Sequence, residues 1–369
     1  MIGFSGSYAP DDVVFLLKTI DLAPTALSER ERLIQTGQAH YSEMIGPEDP
    51  PSPRYLEVFH QAVEENGPAL ARLLADLAAV VAARPGPLTL VSLARAGTPV
   101  GVLLKRTLER FFGRPARHYS VSIIRDRGLD ENALDHILGA ANRPDSSVIF
   151  VDGWTGKGVI ARELASAAER YNRSRGTRVS PALHVLTDLC GEAGISPSCD
   201  DVLIPSSILN STVSGLVSRT ILNRAYLAPG DFHGCLHHRH LEPHDLSRWY
   251  VERIMTEVER LDARSPLTER RAAPLSPERR ERLRRDSRAF VERLAATHGP
   301  AFVNHVKPGI GEATRTLLRR APEVLYLKNP GAPDVRHLEI LAEEKKTPVI
   351  RDPDLPCQAA AVIKNLENA

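Results

Sequence analysis

An apolar run that stops at an acidic residue, crosses a glycine-rich turn and enters a helix constrains this chain more than any other feature. In VIFVDGWTGKG, residues 148–158, four apolar residues lead into Asp152, and the helical stretch VIARELASAAERYN follows. So short a run, apolar on both faces, reads as a strand buried in a parallel sheet. The form recurs: LTLVSLARAGTP leads into VGVLLKRTLERFF, HYSVSIIRDRG into DENALDHILGAA, and PALHVLTDLCG repeats the strand and turn. Ahead of them, PRYLEVFHQAVEENGPALARLLADLAAVVAAR has helical spacing and stops before Pro85, Gly86 and Pro87. Strands alternating with helices imply a parallel sheet with right-handed crossovers. Ligands then bind outside the carboxyl ends of the strands, where both LARAG and DGWTGKG fall.

The pattern changes after residue 261. Residues 262–288, DARSPLTERRAAPLSPERRERLRRDSR, are rich in Arg, Pro and Ser and read as a hinge running into a basic helix, either nucleic-acid-facing or simply solvated. Residues 289–369 read as a small α/β unit: AFVNHVKPGIGEATRTLLRRAPEVLYLKNPG, a helix HLEILAEEKK, a strand TPVIRD and a terminal helix CQAAAVIKNL. The expected organisation is therefore 1–261, a basic linker 262–288, and 289–369, without internal repeats. A net charge of +1 makes no global case for nucleic acid or membrane, so any such case rests on local clustering. Acidic residues before a short apolar run, with no basic leader, predict no secretion signal. The apolar runs are too short to span a bilayer. Four scattered cysteines suit a reducing cytoplasm, the expected location. Self-association is left open.

Glycine turns at strand ends favour anions, because backbone N–H groups and the helix dipole converge there. In DGWTGKG, Thr155 offers a hydroxyl, Gly156 and Gly158 offer room, and Lys157 offers a cation. The spacing excludes a P-loop, since Gly153 is too close to Gly156 and Gly158 stands where Ser or Thr must reach magnesium. The three spaced glycines of a dinucleotide site and the GxSxG elbow of a serine hydrolase are absent. LIPSSILNSTVSGLVSRT supplies Ser206, Ser207, Asn210, Ser211, Thr212, Ser214 and Arg219 as substrate-binding candidates. The bland alternative is a helix VSGLVSRTIL capped by Asn210 or Ser211. HGCLHHRHLEPH lacks the paired spacing of a structural zinc site, so no metal is assigned to it. Asp11, Asp12, Asp130, Glu131, Asp200 and Asp201 read as solvated turn or cap residues.

VIFVDGWTGKG resembles the diphosphoribosyl-binding signature of the type I phosphoribosyltransferases, and VSLARAGTPVG their pyrophosphate loop. That resemblance implies an α/β phosphoribosyltransferase-like domain binding phosphoribosyl diphosphate or a related sugar phosphate. Asp152 would then meet the ribose, Thr155, Gly156, Lys157 and Gly158 the 5′-phosphate, and Arg95, Ala96, Gly97 and Thr98 the pyrophosphate. Arg125 and Arg127, in RDRG, would cover the departing pyrophosphate, and magnesium would be held by the substrate. VKPGIGEATRTLLRR resembles the PELOTA/L7Ae type of RNA-binding fold, which implies RNA contacts at Lys307, Gly309, Gly311, Glu312, Arg315, Arg319 and Arg320. LARAGTPVG, SIIRDRGLDENAL, VDGWTGKG and DDVLIPSSILNSTVSGLVSRTIL together resemble a family found with bacterial tellurite-resistance and stress gene clusters. Its members join a phosphoribosyltransferase-like domain to a C-terminal PELOTA domain, and it also carries the name StiP, a cysteine protease.

The leading expectation is a diverged phosphoribosyltransferase with an RNA-binding module. The alternatives are a cysteine protease and a non-catalytic, nucleotide-responsive RNA binder. For a protease, the thiols to weigh are Cys190, Cys199 and Cys235. Cys190 follows an apolar strand and reads as a core or turn residue. Cys199 is flanked by Asp200 and Asp201, which oppose a thiolate. Cys235 has His233, His237 and His238 nearby in the chain, although chain neighbours rarely form a catalytic dyad.

Overall fold

The computed structural model describes residues 3–299 and 303–364. Its central sheet holds β1 (Val14–Leu16), β2 (Leu88–Ala94), β3 (Ala116–Ile124), β4 (Val148–Val151) and β5 (Leu183–His184) in the order β1-β3-β2-β4-β5, every neighbour parallel. Helices α1 (Pro53–Ala82), α2 (Gly97–Phe112), α3 (Val159–Arg175) and α4 (Ser247–Arg264) cover it. Alternate strand residues go to opposite faces, as a pleat requires. Leu90, Ile149 and Val151 pack with α1, α2 and α4; Val91, Leu93 and Phe150 pack with α3. The expected α/β architecture with a mostly parallel sheet is thus present.

Local chemistry fixes the ends of these helices. The Ser52 hydroxyl accepts the Tyr55 N–H with Pro53 in the first turn, so α1 starts there. Gly113, at φ 60°, ends α2 in the left-handed conformation. Gly158 opens α3 at φ 70°, and a Cβ there would lie 2.3 Å from Glu192 Cγ. Both the dihedral and the space demand glycine.

The C-terminal unit contains α5 (Pro277–Ala296), β6 (Val306–Pro308), α6 (Ile310–Arg319), β7 (Pro322–Leu327), α7 (Arg336–Glu344), β8 (Val349–Arg351) and β9 (Ala359–Ile363), with sheet order β6-β9-β7-β8. Phe290, Val291 and Leu294 of α5 pack on one face of this sheet. On the other face, Ile310 and Leu317 of α6 join Leu325 and Leu327 in the same apolar cluster that runs through α1 and the central sheet. The two units share one core.

Two expected helices are absent. CQAAAVIKNL contains β9, whose five residues are all buried between β6 and β7. An alanine-rich string favours helix by propensity, but a buried slot between two strands overrides it. VSGLVSRTIL is not a helix either. Gly215 and Leu216 take φ of 78° and 59°, and the chain then bridges to residues 234 and 237. No helix among the described residues is long and apolar enough to cross a membrane.

Candidate functional site

The two glycine turns do meet at the carboxyl edge of the central sheet. A Cβ on Gly97 would lie 2.5 Å from the Val151 carbonyl oxygen and 3.1 Å from Asp152 Cα, so only glycine permits this approach. Most of the polar groups there are engaged within the chain, although Arg95 Nε is buried without a hydrogen-bond partner. Arg95 donates to the Val217 carbonyl at 2.8 Å and the Asn210 amide oxygen at 3.0 Å, and pairs with Glu48 at 2.7 Å. Ala96 precedes α2 without a side-chain cap, and Thr98 bonds Ser120 at 2.7 Å. The Asp152 carboxylate accepts its neighbour's Gly153 N–H at 2.8 Å. Burial raises its pKa to about 6, against the nearby charge of Arg315. The Thr155 hydroxyl accepts the Gly158 N–H at 3.1 Å.

What fills this edge is the C-terminal unit. A Cβ on Gly156 would lie 2.5 Å from the Pro308 carbonyl oxygen, and one on Gly311 would lie 2.2 Å from the Trp154 ring. Arg315 stacks on Trp154 at 4.2 Å and pairs with Glu312 at 2.9 Å. Arg319 donates twice to Asn210, at 2.9 and 2.6 Å, and Arg320 reaches Glu31. A Cβ on Gly309 would meet Leu189 at 2.5 Å. Burial lowers the pKa of Lys307 to about 8, partly offset by Glu312. Asp201 is no solvated turn residue. Its carboxylate accepts the Ile310 N–H at 3.0 Å and the Gln358 N–H at 2.8 Å, which ties α6 and the segment entering β9 to the first unit. Asp12 and Asp130 are likewise buried, Asp12 against Arg106 and Asp130 capping Ala133 and accepting the His233 N–H. The set expected to meet RNA and the set expected to meet phosphate therefore face each other.

The Ser/Thr-rich segment splits. Asn210, Ser211 and Thr212 border a cavity of about 380 Å³ beside Glu48. Ser211 donates its N–H to Glu48 at 3.1 Å, and Ser214 donates to the Asn210 carbonyl at 2.7 Å. Ser206 and Ser207 lie in a buried turn, and Arg219 is held by the Met44 carbonyl and the Tyr41 ring. This network of Glu48, Asn210 and two arginines gave no motif in the sequence. Its acid lies in the proline-rich stretch GPEDPPSP, whose partners are far along the chain.

A larger cavity, about 920 Å³, opens between the two units and is bordered by Cys190, Lys157, Arg125 and Arg127, with Arg284 and Arg288 from α5. Asp152 borders neither cavity. The main-chain turn at Cys190 is set by Asp188, which accepts the N–H groups of Cys190, Gly191 and Ala193. Cys190 Sγ donates to Asp188 Oδ1 at 3.4 Å and lies 3.7 Å from Thr155 Oγ1. Burial and Asp188 push its pKa upward, so the resting thiol is neutral. Lys157 borders the same cavity. Its amine donates to the carbonyls of Val303 and Val306 at 2.7 and 3.2 Å, and burial, aided by the charges of Lys307 and Arg125, lowers its pKa to about 7.

The remaining thiols differ. Burial pushes Cys235 and Cys357 up to about 12. His233 bonds Ser122 at 2.8 Å. Cys199 is half-buried and accepts from Arg279 at 3.5 Å, while Asp201 turns away into the C-terminal unit. The flanking-acid objection to Cys199 therefore loses half its force. It borders neither cavity. Among the described residues, no three His, Cys, Asp or Glu side chains converge to hold a metal ion.

An α/β domain with a thiol at the sheet's carboxyl edge, closed by a smaller α/β unit, defines the class. The chain belongs to the StiP family: the model described as "Tellurite-like stress resistance cysteine protease StiP" matches residues 6–255. A PELOTA RNA binding domain model matches residues 285–365. A curated relative from Acinetobacter baylyi, "Cysteine protease StiP", is 39% identical over 375 residues, covering 99% of this chain and 95% of its own. No solved structure matches. These matches overturn the phosphoribosyltransferase expectation, since the family and the relative both bear the name of a cysteine protease. The geometry gives a physical reason for the correction. The turn taken for a 5′-phosphate cradle is packed against Pro308 and Glu312, and Asp152, taken to hold the ribose, is buried and borders neither of these two cavities.

Proposed function

We propose that this chain is a cysteine protease whose nucleophile is Cys190 and whose proton acceptor is Lys157. The observation that carries the reading is that both residues border the 920 Å³ cavity and that this lysine loses its proton near neutral pH. A neutral amine has two N–H donors and one lone pair. With both donors directed to the Val303 and Val306 carbonyls, the lone pair is left to take a proton.

In the forward step, Cys190 Sγ attacks the substrate carbonyl carbon and the thiol proton passes to Lys157 Nζ. The C–N bond then breaks, the amine leaves with that proton, and a thioester remains. Water, deprotonated by the same amine, hydrolyses the thioester, releasing the acid and restoring the thiol. The α3 N-terminus begins at Val159 on the cavity wall without a side-chain cap, so its first-turn N–H groups and dipole favour the oxyanion.

The test is hydrolysis of fluorescent casein by wild type, Cys190→Ser and Cys199→Ser. Cys190→Ser should lose at least ~100-fold in kcat/KM, the lower range of a lost covalent or acid–base contribution, while Cys199→Ser stays within about twofold. Full activity in Cys190→Ser would end the assignment. Loss in Cys199→Ser alone would move the nucleophile to the thiol beside Arg279. A second reading, in which the C-terminal unit binds RNA, is favoured by the PELOTA match.

A further inference from the structure

The inter-domain cleft is lined by seven cationic and four acidic side chains, a net charge of +3 with Lys157 protonated. Its walls are two helices, each of which presents two arginines to the cleft. On α3, Arg162 and Arg170 stand eight residues apart with Ser166 between them, a span of about 12 Å. Across the cleft, α5 presents Arg284 and Arg288, four residues apart and so on one helix face. Among the described residues, Arg170 and Arg288 enter no ion pair, and both are exposed. Arg284 pairs with Glu281 at 3.0 Å and shares Glu192 with Arg162, its buried Nε facing Glu192 at 3.6 Å, beyond hydrogen-bond distance. Among the described residues, no aromatic ring lines the cleft. By contrast, the glycine turn and α6, which the PELOTA resemblance would send to RNA, pack against Trp154, Asn210, Gly156 and Asp201.

We propose that this cleft, between α3 and α5, is the groove through which the chain binds the phosphate backbone of single-stranded RNA. Cations on both walls of one groove match a chain of anions laid along it. One row is contributed by a helix that enters the unit matched by an RNA-binding family. Recognition by cations meeting phosphates rests on charge and tolerates any sequence. Bound RNA would lie over the mouth of the cavity that contains Cys190, although the binding itself does not depend on the hydrolytic reading.

Fluorescence anisotropy of a labelled 12-nucleotide oligouridine with the full-length chain tests this. Wild type should bind with log K falling against log salt at a slope of roughly −2, the value for about three neutralised phosphates on a single strand. Arg284→Glu/Arg288→Glu should weaken binding at least tenfold, and Arg170→Glu, on the opposite wall, should weaken it as well. Arg351→Glu, on exposed β8 away from the cleft, should leave it within twofold. No binding by wild type at low salt, equal loss in Arg351→Glu, or unchanged binding in both cleft variants would each overturn the proposal. Equal competition by polyglutamate would overturn it too, since the cleft would then be a general polyanion trap.

Discussion

Gly156→Ala isolates the contact between the two units. The added Cβ would lie 2.5 Å from the Pro308 carbonyl oxygen and 3.0 Å from Glu312 Cγ, whereas ordinary contact begins at 3.4 Å. The carboxylate side chain can swing aside, but the carbonyl belongs to β6 and cannot. The C-terminal unit must therefore retreat by roughly 1 Å at this point. Overpacking of this kind costs about 1–3 kcal/mol, against a gain of about 0.4–1 kcal/mol from removing a flexible glycine from the unfolded chain. A net loss of about 1–2 kcal/mol corresponds to a Tm lower by roughly 1–3 °C in a chain of this size. The same retreat lets water reach Lys157 and moves Lys307 away from it, so its pKa should rise from about 7 towards the usual lysine value. Gly139→Ala is the control, because a Cβ there meets nothing within 4 Å. Differential scanning calorimetry reads both. If Gly156→Ala melts no lower than Gly139→Ala, the units do not press on each other as described.

Lys157 also sets a pH dependence. Its pKa in the folded chain is below the unfolded value, so the penalty of charging it is complete below about pH 7 and fades as pH rises towards about 10.4. Lys157→Met should therefore be more stable than wild type at pH 6, with the difference closing by pH 10, in parallel thermal melts. Glu48 behaves oppositely. Burial disfavours its charge, yet the charge and hydrogen bond of Arg95 outweigh this and hold its pKa down to about 2. Its contribution is thus present above about pH 4.3 and is lost as pH falls towards 2. Glu48→Gln should cost about 3 kcal/mol at pH 7 by leaving the Arg95 cation without its carboxylate, and urea titration should show the gap narrowing in acid.

The parallel strands were legible because their burial is written in consecutive apolar residues, as in VIFV and LTLV, and a glycine follows each turn that needs one. β9 was not legible. AAAVI has the composition of a helix, and only β6 and β7 on either side make it a strand. The site was half legible. Lys157 was visible as a cation in a glycine turn, but its lowered pKa comes from burial and from the charges of Lys307 and Arg125, which are distant in the chain. Phosphate chemistry was inferred from a turn that the C-terminal unit occupies, a contact set by the shared apolar core and not by any local pattern. Cys190 read as a turn residue because its importance depends on a cavity whose other wall is α5.

The most direct measurement is the identity of the cysteine that reacts with a peptidyl chloromethyl ketone, read by peptide mapping of the intact chain at pH 8. Stoichiometric labelling of Cys190, slowed when Lys157 is replaced by Met, is the result predicted here. Labelling confined to Cys199, or an unchanged rate in Lys157→Met, would contradict a thiol and an amine working together in the cleft.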